Sequence, residues 1–157
     1  MTVNIDITKE LKAVEKLIKS DINKEKTILG LYNYIFKSDG KKIRSRLNLI
    51  ASSSSKNSDR YKLASIIELL HTATLVHDDV VDNASTRRGA ISVNSLWSNA
   101  HGVLIGDYIY SKAFMLMVEI GKKDILAELA DATNDISQGE LIQLDAISNI
   151  KISLNKL

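Results

Sequence analysis

The 157-residue chain contains no proline and only seven glycines. Proline is the residue that most reliably ends or kinks a helix. A chain without it runs in long helices, punctuated only where glycine or polar clusters signal a turn. The apolar residues follow the helical period. Leu11, Val14, Leu17 and Ile18 form one stripe, and Ile28, Leu31, Tyr32 and Ile35 form another that stops near Ser38-Asp39-Gly40. A third helix is expected to begin near Lys41 and run through Ile43, Leu47 and Ile50 into the loop Ser52–Ser55. The strongest periodic segment runs from about Asp59 to Asp82, with Leu63, Ile66, Ile67, Leu70, Ala73 and Thr74 on its stripe. The polar stretch Asn83 to Ala90 reads as a loop, and a short helix follows around Val93–Ser98. Two further long helices fit Gly102–Ile120 and Lys122 to about Ala146, with Gly121 as the C-cap between them. The tail from Ser148 to Leu157 is apolar enough to begin another helix. No segment carries a strand signal, so the expected fold class is an all-α bundle.

Composition narrows the function classes. At 45% apolar and 25% charged residues the chain reads as one globular domain, 1–157, around a single core. A net charge of +2, with no basic block interleaved with aromatics, gives nucleic acid no footprint. The absence of cysteine excludes disulfides and thiolate metal sites and is compatible with a reducing compartment. The N-terminus carries Asp6, Glu10 and Glu15 among its apolar residues, unlike a signal peptide, and no run approaches a membrane span. A cytoplasmic, soluble protein is expected.

The chemistry concentrates in His77-Asp78-Asp79-Val80-Val81-Asp82. Asp78 and Asp82 are four residues apart, so their carboxylates share a helix face, with Asp79 alongside. Acidic groups at the C-terminal end of a helix oppose its macrodipole, so a bound cation would relieve the strain. Oxygen ligands without histidine or cysteine favour Mg²⁺, or Mn²⁺, which bridges carboxylates to substrate phosphates. The alternative is an acidic helix end facing solvent. Arg87 and Arg88 follow in a loop that can fold back over this end, and guanidinium forks suit phosphate oxygens. Upstream, Gly40-Lys41-Lys42-Ile43-Arg44 puts cations in the first turns of a helix, where an anion would offset them; otherwise they form a solvated basic face. His71 lies two turns below Asp78 on the same face, either as a core histidine or as a phosphate donor. His77 is read as a packing or capping residue and His101 as a surface or helix-start residue.

The string ELLHTATLVHDDVVDNASTRRG, Glu68 to Gly89, resembles the first aspartate-rich region of the trans-isoprenyl (polyprenyl) diphosphate synthases, most closely the long-chain octaprenyl and solanesyl type. DGKKIRSRL is similar to that family's GGKxxRP segment, and GVLIGDYIYSKAF and GELIQL resemble two later segments, in the expected order. The resemblance implies the isoprenoid-synthase bundle, about six to seven helices of its N-terminal half. It implies that Asp78, Asp79 and Asp82 bind Mg²⁺ and the allylic diphosphate, that Arg87 also holds the allylic diphosphate, and that Lys41, Arg44, His71 and Arg88 bind isopentenyl diphosphate. Gln143 matches a polar position facing the allylic site. In this family Mg²⁺ draws diphosphate from the allylic substrate, and the isopentenyl double bond attacks the resulting cation. Ala73 and Thr74, small residues just before Asp78, imply room for a long product, although small residues also permit close helix packing. A homodimer through the Gly102–Ile120 region is implied as well.

Two departures qualify the resemblance. Ser45 stands where the family has proline. The second aspartate-rich motif and a Lys-Thr pair of the family's later helices have no counterpart after Gln143. The chain thus reads as truncated before that motif, with little or no turnover expected unless another chain supplies it. A non-catalytic partner of a complete synthase, and then a class I terpene cyclase fragment, are the other readings.

Overall fold

A computed structural model of the chain describes residues 6–37, 40–55 and 58–148. These form seven helices and one two-stranded hairpin: α1 (Ile7–Ile18), α2 (Lys26–Ile35), α3 (Ile43–Ala51), α4 (Asp59–Val81), β1 (Thr86–Arg87), β2 (Ala90–Ile91), α5 (Val93–Leu96), α6 (Asn99–Ile120) and α7 (Lys123–Ser148). The chain divides into two units, residues 1–120 and 121–157, the second built on α7. Gly121, at φ +66°, adopts the left-handed conformation expected of the glycine that follows a helix.

In the first unit α4 is the central helix, packed against α6, α3 and α1. The stripes read for α1, α2 and α4 are buried or half-buried, whereas Ile43, Leu47 and Ile50 of α3 are exposed, contrary to the sequence reading. Leu11, Val14 and Ile18 of α1, Leu31 and Tyr32 of α2, and Ile66, Leu69, Ala73 and Val76 of α4 line the core with Ile105, Ile109, Ala113 and Met117 of α6. Two polar ties fix the helices in register. Arg60 on α4 grips Glu10 of α1 through both guanidinium nitrogens, at 2.7 and 2.8 Å, and donates to the Leu49 carbonyl of α3. The buried Tyr32 hydroxyl donates to the Ile18 carbonyl at 2.6 Å, and burial pushes its pKa up.

The α4–α6 crossing depends on two glycines. A Cβ on Gly102 would stand 2.6 Å from Val80, and one on Gly106 would stand 2.2 Å from His77 Nε2. Without side chains there, α6 approaches close enough for His77 to reach the Val103 carbonyl at 3.2 Å and Asp107 at 3.4 Å. His77 is therefore a packing residue, and His101 opens α6, its amide and ring both meeting the Ser98 hydroxyl.

Two local features differ from the sequence reading. Lys41 and Lys42 precede α3 rather than lying in its first turn, and Lys42 takes a left-handed φ of +48° at the N-cap. The expected loop after Asp82 contains the β1–β2 hairpin, with Thr86 opposite Ile91 and Arg87 opposite Ala90. The tail beyond Ser148, and Ser38 and Asp39, lie outside the described residues.

Candidate functional site: a carboxylate pair beside a cationic recess

The helical phase of α4 sorts the three aspartates. Asp78 is partly buried and Asp82, the C-cap, is exposed, and both lie on the face carrying Thr74 and His71. Asp79 sits about 100° round the helix. It is only 4% exposed, and its Oδ1 accepts from Arg87 Nε at 2.7 Å. The structure thus separates the triplet into a pair, Asp78 and Asp82, and a third carboxylate committed to Arg87. Among the described residues no three His, Asp or Glu side chains converge as a ready metal cage. The donors nonetheless fit Mg²⁺, which binds through one or two carboxylates and takes its other ligands from water and phosphate. Tyr110 of α6 lies near enough to Asp78 that burial first, and then the Asp78 charge, push the phenol pKa up.

The chain between α4 and α5 is held where Arg87 can reach back. The Ala84 carbonyl accepts from Ser92 Oγ at 2.6 Å and from Asn94 Nδ2 at 3.1 Å, and Asn94 also donates to the Asp79 carbonyl at 3.0 Å. Arg88 turns the hairpin with φ +52°, a conformation costly for a non-glycine residue, followed by Gly89 at +79°. Its guanidinium then lies over Gly40, where a Cβ would stand 2.6 Å from Nη1. Ser92, Asn94 and Gly40 were not singled out as site residues. Their contribution is to the backbone path, and only the turn-forming character of Gly40 was visible in the residue pattern.

A recess of ≈ 370 Å³ is lined by Gly40, Lys41, Lys42, Ile43, Arg44, Glu68, His71 and Arg88. It brings together the four cationic or polar groups expected to bind one diphosphate: Lys41, Arg44, His71 and Arg88. Arg44 Nη1 lies 3.1 Å from His71 Nε2. Since a guanidinium only donates, that nitrogen is an acceptor and the imidazole is neutral. Desolvation, followed by the charges of Arg44, Arg88 and Arg87, holds the His71 pKa below its ordinary value. Lys42 is ion-paired with Glu15, which lowers the Glu15 pKa chiefly through that bond.

Ser45 gains a role. It is fully buried, and its hydroxyl lies 3.0 Å from both the Ala64 carbonyl and Glu68 Oε2, tying α3 to α4. The two small residues before Asp78 separate. Ala73 is fully buried on the stripe shared with His77 and Val80 that packs on α6. Thr74, partly buried on the Asp78 face, bonds its own helix at the His71 carbonyl. Gln143 lies on α7 in the second unit.

The all-α architecture is that of the isoprenoid synthases. A polyprenyl synthase from Caulobacter crescentus, solved with calcium and isoprenyl diphosphate, superposes with a TM-score of 0.88 at 33% identity over 95% of this chain and 46% of its own. A decaprenyl diphosphate synthase from Rhodobacter capsulatus matches equally well, at 0.88 and 33%, over 96% of this chain and 47% of its own. In sequence, the octaprenyl diphosphate synthase of Haemophilus influenzae is 36% identical over 147 residues, 92% of this chain and 45% of that protein. That of Escherichia coli is 33% identical over 154 residues, 96% and 48% respectively. The polyprenyl synthetase family model matches residues 6–157, and the chain belongs to that family. It spans about half the length of the relatives it matches.

Proposed function

We propose that this chain carries the diphosphate-binding half of a long-chain polyprenyl diphosphate synthase, which condenses isopentenyl diphosphate head-to-tail with an allylic diphosphate. The observation that carries the reading is the recess where Lys41, Arg44, His71 and Arg88 meet, delivered by three separate chain segments. In this reading Asp78 and Asp82 hold Mg²⁺, or Mn²⁺, which supplies positive charge where diphosphate leaves the allylic carbon. Asp79 orients Arg87, whose remaining guanidinium donors face the same departing anion. Lys41, Arg44 and Arg88 hold the diphosphate of isopentenyl diphosphate, and neutral His71 adds a polar contact without adding charge. Thr74, one turn below Asp78, leaves room for a growing chain. Gln143 is assigned to the allylic side by resemblance. Homodimerisation, and the supply of the second aspartate-rich motif by another segment or chain, belong to the same proposal. A class I terpene cyclase would have no use for the second diphosphate recess.

The test is calorimetric titration of the chain with isopentenyl diphosphate. Charge-assisted hydrogen bonds contribute about 1.5–3 kcal/mol each, so Arg44→Ala or Arg88→Ala is expected to weaken binding roughly 10- to 150-fold. Unchanged affinity in both variants would overturn the assignment of the recess.

A further inference from the structure

Among the described residues, a single acid lines the recess assigned to isopentenyl diphosphate. Glu68 stands there with Lys41, Lys42, Arg44, His71 and Arg88. A carboxylate repels a diphosphate, so a recess built only for tight anion binding has no use for it. Nor is Glu68 a loose side chain at the edge. α4 places it one turn before His71, on the same helix face. Its Oε2 accepts from the buried Ser45 hydroxyl of α3 at 3.0 Å, which fixes the carboxylate between the two helices.

The neighbouring charges show what it opposes. Lys42 pairs with Glu15, and Arg44 donates to neutral His71, which offers no balancing charge. Lys41, Arg44 and Arg88 make no ion pair among the described residues. Without a bound anion these cations face one another, and Glu68 is the opposing charge on the lining. We propose that Glu68 is the counter-charge of the empty recess: it holds the cations together before a diphosphate arrives and weakens their grip on it afterwards. This role rests on the proposed function. In that reaction the allylic diphosphate leaves as pyrophosphate, a carbon–carbon bond forms, and one proton is lost from the isopentenyl unit. The lengthened product therefore carries the diphosphate that entered through the recess. That group must vacate the recess before the next isopentenyl unit binds, and a carboxylate on the lining favours its departure.

Glu68→Gln removes the charge while its amide oxygen can still accept from Ser45. Calorimetric titration with isopentenyl diphosphate, without metal, is expected to show binding roughly 3- to 10-fold tighter than in the unaltered chain. The less charged inorganic phosphate should gain less. Glu68→Asp keeps the charge and should show no such gain. With no ligand present, Glu68→Gln should lower Tm at about 0.01 M salt and much less at about 1 M, because the Debye length falls from about 30 Å to about 3 Å and screens the cations from one another. Unchanged or weaker binding in Glu68→Gln, an equal gain in Glu68→Asp, or a Tm loss indifferent to salt would overturn the proposal. Isopentenyl diphosphate binding by the unaltered chain without a gain in Glu68→Gln defeats this proposal alone, whereas its absence from both proteins defeats the functional reading as well.

Discussion

Replacing Gly106 with alanine tests whether the α4–α6 crossing is set by His77. The added Cβ would lie 2.2 Å from His77 Nε2 and 2.5 Å from Cδ2, against the 3.5–4.0 Å that carbon contacts require. The ring cannot swing aside cheaply. It contacts the Val103 carbonyl and Asp107 and stacks on Tyr110 at 6.0 Å with planes 14° apart. Either the ring leaves these partners or the helices separate by more than about 1 Å. Overpacking of this kind costs about 1–3 kcal/mol, and the helical preference of alanine over glycine returns up to about 1 kcal/mol. The net is a destabilisation of up to roughly 2 kcal/mol, or a Tm lower by roughly 2–8 °C for a chain of this size.

Gly30 in α2 is the internal control, because nothing lies within 4 Å of its would-be Cβ. Gly30→Ala should gain about 0.5–1 kcal/mol, so the two identical chemical changes move Tm in opposite directions. Adding His77→Ala to Gly106→Ala empties the space that the methyl enters. A double-mutant cycle by urea denaturation should then return a coupling of about 1 kcal/mol or more. If Gly106→Ala melts as high as Gly30→Ala, or the cycle shows additivity, the close-approach argument is wrong. Because Asp78 adjoins His77, the same variant should also weaken Mg²⁺-dependent pyrophosphate binding, read by calorimetry.

The aspartates should separate by role: Asp82→Asn abolishes Mg²⁺-dependent pyrophosphate binding without lowering Tm, whereas Asp79→Asn lowers Tm by loosening the Arg87 tie, and equal melting temperatures would contradict the division. Ser45→Ala should cost about 0.5–1.5 kcal/mol, since it removes the buried hydroxyl that ties α3 to Ala64 and Glu68 of α4; a loss below about 0.5 kcal/mol in urea denaturation would show that water replaces the hydroxyl. His71, with its folded pKa depressed, takes up protons more readily in the unfolded chain. Its contribution to stability is therefore present above about pH 6.5 and is lost as the pH falls through the lower folded value. His71→Gln should flatten that part of the stability profile, and an unchanged profile would place the transition on another group.

The helices were legible because they rest on two local signals, the missing proline and the 3.6-residue apolar period, and both act before any tertiary contact forms. Leu11, Val14, Ile66 and Ala73 are buried where their stripes put them, whereas Ile43, Leu47 and Ile50 of α3 stay exposed. The hairpin was not legible, since two-residue strands have no room for a period and Asn83, Arg88 and Gly89 hold positive φ angles that only the surroundings enforce. Helix starts shifted for a similar reason. Lys42 stands at the N-cap with a left-handed φ and pairs with Glu15 on a different helix, a contact that no local pattern contains. Ser45, read as a loss of rigidity, is a donor bridging two helices, a fact that depends on which residue α4 places beside it.

The division among the aspartates follows the same logic at finer scale. Residues four apart share a helix face while neighbours stand about 100° apart, so the string Asp78-Asp79-Val80-Val81-Asp82 already implies two faces. What the string does not contain is the destination of the second face. Asp79 turns toward the wall shared with Leu75 and Val76, where a carboxylate is stable only with a partner. The hairpin returns Arg87 to that spot, eight residues later. The acid that the spacing groups with metal ligands is thus paired with a guanidinium, and the ion pair fixes the arginine against α4. Replacing Arg87 with lysine would keep the charge but not the fork, so one ammonium would have to serve both Asp79 and an incoming diphosphate. Tight pyrophosphate binding in Arg87→Lys would therefore separate Asp79 from the site.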